Sequence, residues 1–361
     1  MDFDDESRIK NLFWANARSR AACEEFGDVI TFDTTYLTNK YNMPFAPFVG
    51  VNHHGQSILL GCGLISNEDT DAFTWLFKSW LKCMNSCAPN AIITDQDKAM
   101  KNAIEIVFPN TRHRWCLWHI MKKLPEKLKG YNEYDSMKSA IQCVVYNSLS
   151  TIEFETSWNR LIDDFKLEDN DWLLGLYIER RRWVPALVKN SFWAGMSTTQ
   201  RSESMNSFFD GYVHPSTTLK QFVEQYENAL RSKVEKESQA DYESFNVTIP
   251  CVTKYKVEKQ FQGCYTTKKF KEAQDEVKGK VYCISFLVRD DEGIEVYKVS
   301  EDMVGETERV GNFIVFFNHV DCDVKCNCKL FEFRGILCRH CLTVLIQKNI
   351  HILPDKYIIW R

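Results

Sequence analysis

Val29-Ile30-Thr31-Phe32-Asp33-Thr34-Thr35-Tyr36 lies near the start of the chain and sets the reading of the rest of it. Branched and aromatic residues dominate it, so it reads as a β-strand that ends on a carboxylate. Phe45 to Asn52 and Ser57 to Ile65 read as two further strands, joined by the turn His53-His54-Gly55-Gln56. The two histidines are expected to face solvent rather than to bind metal. Asp71 to Met84 fits a helix with Phe73, Leu76, Phe77, Trp80 and Leu81 on one face. Ala91-Ile92-Ile93-Thr94-Asp95 is a short buried strand, and Asp97 caps a helix from Lys98 to Phe108. This order of strands and helices predicts a sheet covered by helices, an α/β core.

Outward from that core the pattern changes. Ile9, Leu12, Phe13 and Ala17 recur at helical spacing, so residues 6–26 predict a helix and 1–28 an N-terminal helical segment. About 130–190 reads as a helical insertion carrying Trp158, Phe165, Trp172 and Trp183. In Ser197-Thr198-Thr199-Gln200-Arg201-Ser202-Glu203 the hydroxyls offer helix caps, which puts Glu203 in or near a first turn. Arg201 beside it either steers a phosphate or pairs with an acid. Residues 217–246 read as a charged helix within a helical connector, 217–280. Residues 281–318 alternate apolar and polar and predict a small antiparallel sheet.

The chain has 361 residues, too many for one ordinary core, and its 44% hydrophobic and 13% aromatic content is that of a folded globular protein. Fourteen cysteines without an apolar segment after Met1 argue for a reducing compartment. No apolar run approaches the ~18 residues that span a bilayer. The net charge of −4 does not advertise a nucleic-acid binder. The local basic runs, Arg112-His113-Arg114, Lys122-Lys123 with Lys127 and Lys129, and Arg180-Arg181-Arg182, read as solvated faces unless they converge. A P-loop and a dinucleotide fingerprint are absent, which argues against nucleotide-driven chemistry.

Near the C-terminus runs Cys326-x-Cys328-x9-Cys338-x-His340. Three thiolates and an imidazole complete a tetrahedral Zn²⁺ shell with no open position, the pattern of a structural site. Cys322 and Cys341 flank a set that is already full. In the core, Asp33 and Asp95 end two strands and converge if those strands are neighbours. With Glu203 they could hold two divalent cations roughly 3.5–4 Å apart, and Mg²⁺ suits such hard oxygen ligands.

These strings, together with Arg114-Trp115-Cys116-Leu117-Trp118-His119, resemble a Mutator-like transposase core. More closely they resemble the plant far-red-impaired-response family, whose members are domesticated from such transposases. The cysteine run is similar to that family's C-terminal SWIM-type finger. The resemblance implies an RNase H-like α/β core over 29–216 with a helical insertion, and Asp33, Asp95 and Glu203 at the DDE positions. It implies a small β region over 281–361 with the SWIM-type module at about 322–345. Cys116-x2-His119 matches the Cys/His signature of Mutator-like elements; by chemistry the pair is either two metal ligands or a packed helix start.

The implied role is nuclear: a DNA-associated regulator of transcription in light and developmental signalling, with structural Zn²⁺ and a DDE-like acidic site that is either a relic or still able to take Mg²⁺. Expected partners are DNA, other transcription regulators and family members in homo- or heterodimers, with no membrane. The rival reading is an active transposase that cuts and joins DNA with two Mg²⁺ ions. A third is an interaction scaffold. Members usually carry an N-terminal zinc-binding recognition domain. Before Asp33 only Cys23 stands here, so a fragment or a shortened member is expected.

Overall fold

The computed structural model describes residues 1–36, 39–131, 133–291, 293–303 and 309–359. The chain divides into two compact units, Met1–Asn147 with Ser157–Val188 and Met196–Gln239, and Ser148–Thr156 with Lys189–Gly195 and Ala240–Arg361.

The first unit opens with β1 (Asp2–Phe3) and β2 (Ile9–Trp14), followed by α1 (Ala17–Phe26). The expected single helix over 6–26 is therefore a strand and a shorter helix. Leu12, Phe13 and Trp14 of β2 pair with Leu64, Gly63 and Cys62, so sheet pairing overrides a helical spacing too short to be decisive. Asn16 ends the strand and caps α1 by accepting from the Ser19 amide.

β3 (Val29–Phe32), β4 (Phe45–Val51), β5 (Ser57–Leu64), α2 (Thr70–Cys83), β6 (Ala91–Thr94) and α3 (Lys98–Val107) come next, as the sequence predicted. Asp97 caps α3 through the Met100 amide. They are succeeded by β7 (Arg112–Trp115), α4 (Leu117–Leu128), α5 (Tyr134–Asn147), α6 (Thr151–Phe165), α7 (Asp171–Ile178), α8 (Pro185–Val188), α9 (Gln200–Asp210) and α10 (Leu219–Asn246).

Among the described residues the strands form a seven-stranded sheet in the order β1-β2-β5-β4-β3-β6-β7. β3 pairs antiparallel with β4 and parallel with β6, and β6 pairs parallel with β7. One face buries Phe32, Phe48, Phe73, Phe77, Trp80 and Phe108. The other buries Phe45, Val49 and Leu59 against Phe209, Phe222 and Tyr226 of α9 and α10. Helices thus cover both faces of the sheet.

β7 is the strand the sequence hides. His113 and Arg114 are buried, so this basic run is not a solvated face. Arg182 donates to Nδ1 of His113 (3.2 Å), which leaves Nε2–H to donate to Thr94 Oγ1 at 2.8 Å. Burial, with the Arg182 charge, holds the imidazole down at about 3. Arg182 also pairs with Glu105 and Glu179, so part of the second arginine run is spent on structure. The His53–His54 turn is not solvent-facing either: His54 is buried, and α10 covers the turn where Asn52 Nδ2 donates to Glu237 at 2.9 Å.

The second unit contains α11 (Lys256–Cys264), α12 (Thr267–Gly279), β8 (Cys283–Asp291), β9 (Ile294–Met303), β10 (Arg309–Asn318), β11 (Asp323–Cys326), α13 (Leu330–Arg334) and α14 (Arg339–Gln347). Its strands make an antiparallel four-stranded sheet among the described residues, in the order β11-β10-β9-β8. Residues 304–308 of the region expected to form this sheet lie outside the described residues. Tyr297, Val299, Phe313, Val315 and Phe317 share one core with Phe261, Phe270 and Val277 of α11 and α12 and with Leu342 and Leu345 of α14. The cysteine run is built into that core, since Cys326, Cys338 and Cys341 belong to it.

Candidate metal centres

In the first unit, three adjacent strands run parallel and end at the same edge. β3 delivers Asp33, β6 delivers Asp95, and β7 delivers Cys116 and the first turn of α4, which holds His119. The carboxyl ends of adjacent parallel strands are where α/β sheets place their sites. α9 brings the remaining acid. Thr31 Oγ1 and Ser202 Oγ share a buried hydrogen bond of 2.7 Å, which docks α9 on β3 two residues before Asp33 and one before Glu203.

Ligand atoms of Asp33, His119 and Glu203 all lie within 4.8 Å of one another. His119, expected as either a ligand or a packed helix start, therefore stands among the acids. Its Nε2 is 3.5 Å from Glu203 Oε1, and its Nδ1 is 3.5 Å from Thr199 Oγ1. Asp95 does not join that close set. Its Oδ1 is buried without a hydrogen-bond partner among the described residues, an orphaned acceptor that a cation would satisfy. Burial, reinforced by the Asp95 charge, pushes Asp33 up to about 7. Burial likewise raises Asp95, with Asp97 adding to it.

Burial alone would raise the Cys116 thiol, but hydrogen bonds with His119 and Thr199 outweigh it and bring the group below its ordinary value. His119 is raised, chiefly by Cys116. Cys116 Sγ also accepts from the Thr199 amide at 3.3 Å, which ties it to the residue before α9. Arg201 donates to Gly55 O at 2.9 Å and to Ser57 Oγ at 3.3 Å, contacts that hold α9 to the turn between β4 and β5.

In the second unit, Cys326, Cys328, Cys338 and His340 offer ligand atoms all within 4.8 Å of one another. Tetrahedral zinc with bonds of about 2.3 Å to sulfur sets its ligands about 3.8 Å apart, so the cluster has the right scale. The backbone prepares it. The Cys328 amide donates to Cys326 Sγ and the Cys341 amide to Cys338 Sγ, each at 3.4 Å. Lys329 (φ 57°) and Gly335 (φ 76°) both take left-handed turns, one before and one after α13. A Cβ on Gly335 would also fall 2.8 Å from Ile359 Cδ1.

His340 Nδ1 faces Cys326 Sγ at 3.5 Å while Nε2 contacts Glu301 Oε2 at 2.8 Å, and Phe313 stacks on the ring at 3.8 Å. A carboxylate behind the imidazole fixes which nitrogen faces the metal. Arg339 bridges Glu301 and Glu276 and holds that carboxylate in turn. The sequence run named the ligands but gave no sign of Glu301, which arrives from β9. Together the donors fit Zn²⁺, which would supply structural cross-linking and no open coordination position.

Two stretches match known domains: residues 29–123 match the MULE transposase domain, and residues 310–349 match the SWIM zinc finger. The whole chain aligns with Arabidopsis thaliana proteins. It is 42% identical to Protein FAR1-RELATED SEQUENCE 5 over 99% of this chain and 45% of that protein. It is 38% identical to Protein FAR-RED IMPAIRED RESPONSE 1 over 100% of this chain and 43% of that protein. The chain belongs to the far-red-impaired-response family. It is also 39% identical to Protein FAR1-RELATED SEQUENCE 6, of which it covers 52%. The chain spans about half the length of these far-red-impaired-response relatives. No described helix is long and apolar enough to cross a membrane.

Proposed function

We propose that this chain is a nuclear, DNA-associated regulator of transcription descended from a Mutator-like transposase, acting in light or developmental signalling. The observation that carries the reading is the convergence of Asp33, His119 and Glu203, with Asp95 beside them, at the carboxyl edge of β3, β6 and β7. A core of three antiparallel strands followed by two parallel ones, ordered β5-β4-β3-β6-β7, supports reading the first unit as RNase H-like. The names of the relatives supply the link to far-red light. The SWIM-matched finger adds a zinc-stabilised surface.

A second reading has a specific observation in its favour. The acids remain, and the orphaned Oδ1 of Asp95 suits a Mg²⁺ or Mn²⁺ ion. On that reading the chain cuts and joins DNA. Fluorescence anisotropy of the whole chain on duplex DNA across a salt series separates the readings, with a parallel strand-cleavage assay in Mg²⁺ and Mn²⁺. Salt-sensitive binding without cleavage supports the regulator. Cleavage abolished by Asp95→Asn supports the transposase. No DNA affinity at low salt overturns both and leaves a protein scaffold.

A further inference from the structure

The zinc cluster contains one thiol more than the metal needs. Cys338-Arg339-His340-Cys341 is a Cys-x-x-Cys run in which Cys338 caps α14 and Cys341 lies in its first turn. Cysteines at this spacing at the start of a helix are the arrangement of dithiol–disulfide pairs. The Cys341 amide already donates to Cys338 Sγ at 3.4 Å, and both cysteines are buried in the same core. A pocket of about 220 Å³ has Cys326, Cys338 and Cys341 in its lining, along with Leu330, Phe331 and Tyr357. That is ample to hold a peroxide molecule beside the lining cysteines, which are themselves buried.

We propose that Cys338 and Cys341 form a reversible disulfide that competes with zinc for Cys338, so that metal occupancy of the finger responds to peroxide. The inference rests on zinc binding by this finger. It does not depend on what the first unit does with DNA.

The chemistry balances with hydrogen peroxide as oxidant. Cys341 sulfur attacks one peroxide oxygen; an S–O bond forms, the O–O bond breaks, and the departing hydroxide takes the thiol proton and leaves as water. Cys338 sulfur then attacks the sulfenic sulfur of Cys341; the S–S bond forms, the S–O bond breaks, and hydroxide leaves and takes a proton from solvent. The two sulfurs lose two electrons in total and the peroxide gains them. Cys338 can no longer serve as a thiolate ligand, and the metal is left with an incomplete shell.

The test uses the whole reduced, zinc-loaded chain. Hydrogen peroxide is added while a chromophoric indicator tracks zinc release, and mass spectrometry of non-reduced peptides maps the disulfide. The expected result is zinc release together with a Cys338–Cys341 cross-link, both reversed by dithiothreitol and added zinc. Cys341→Ala and Cys341→Ser should bind zinc as the parent does and release it roughly tenfold more slowly. Release from both variants at the parent rate overturns the proposal, as does a cross-link mapped to Cys326–Cys328. A chain that binds no zinc when reduced overturns it as well, because there is then no metal for the disulfide to displace.

Discussion

Single side chains decide how each centre behaves with pH. His113 is the clearest case, because it is buried beside the Arg182 guanidinium and its folded value falls to about 3. An unfolded histidine titrates near 6.5, so between those limits the unfolded chain binds the extra proton. The stability this contributes is whole above about pH 6.5 and is lost as pH falls toward 3, at up to about 1.4 kcal/mol per pH unit. Denaturant midpoints of the first unit measured at pH 4.5 and 7.5 should diverge in the parent and converge in His113→Gln. Equal pH dependence in the two proteins would show that His113 does not titrate this way. Asp33 works in the opposite sense. Its folded value rises to about 7, so the metal-free centre loses stability as pH climbs from the ordinary carboxylate range toward 7, and a bound cation would reverse that.

At the scale of elements, the docking of α9 on β3 is what completes the acidic centre. Ser202→Ala leaves Thr31 Oγ1 buried without its partner and should cost about 1–3 kcal/mol. It should also weaken Mn²⁺ binding, since Glu203 rides on the same turn. The double variant Thr31→Val with Ser202→Ala should recover most of the stability, because no polar atom is then stranded. If the single variant matches the parent in calorimetry and in Mn²⁺ titration, the hydrogen bond does not set the position of α9. Much of this arrangement is legible in the sequence. β3 to α3 can be read from apolar patterning, and Asp33 and Asp95 come to one edge once β3 and β6 are neighbours. β7 is illegible because Arg112-His113-Arg114-Trp115 looks like a surface run. Its burial depends on Thr94, Met196 and Arg182 supplying hydrogen bonds from distant parts of the chain. β2 misleads for a different reason, since Ile9, Leu12 and Phe13 fit either period over so short a stretch. His119 carries a signal, its spacing from Cys116, but nothing local says that α4 starts beside Asp33.

At the scale of the whole molecule, the two compact units carry separate cores, and the zinc ligands belong to the larger part of the second. Removing zinc with a chelator, or Cys338→Ser, should therefore abolish hydrogen-exchange protection through α11, α12 and the β8–β11 sheet together. Protection lost only between 313 and 345 would mean that the finger is an appendage after all. β3 to β7 of the first unit lie within the first 115 residues, whereas Glu203 arrives only with α9, after a long helical stretch. Proteins emerge from the ribosome N-terminal part first. A nascent chain can thus lay down most of its sheet while still lacking the acid that closes the centre. Any transcript truncated ahead of α9 would yield a protein with the Asp33 and Asp95 edge in place and no means of finishing it.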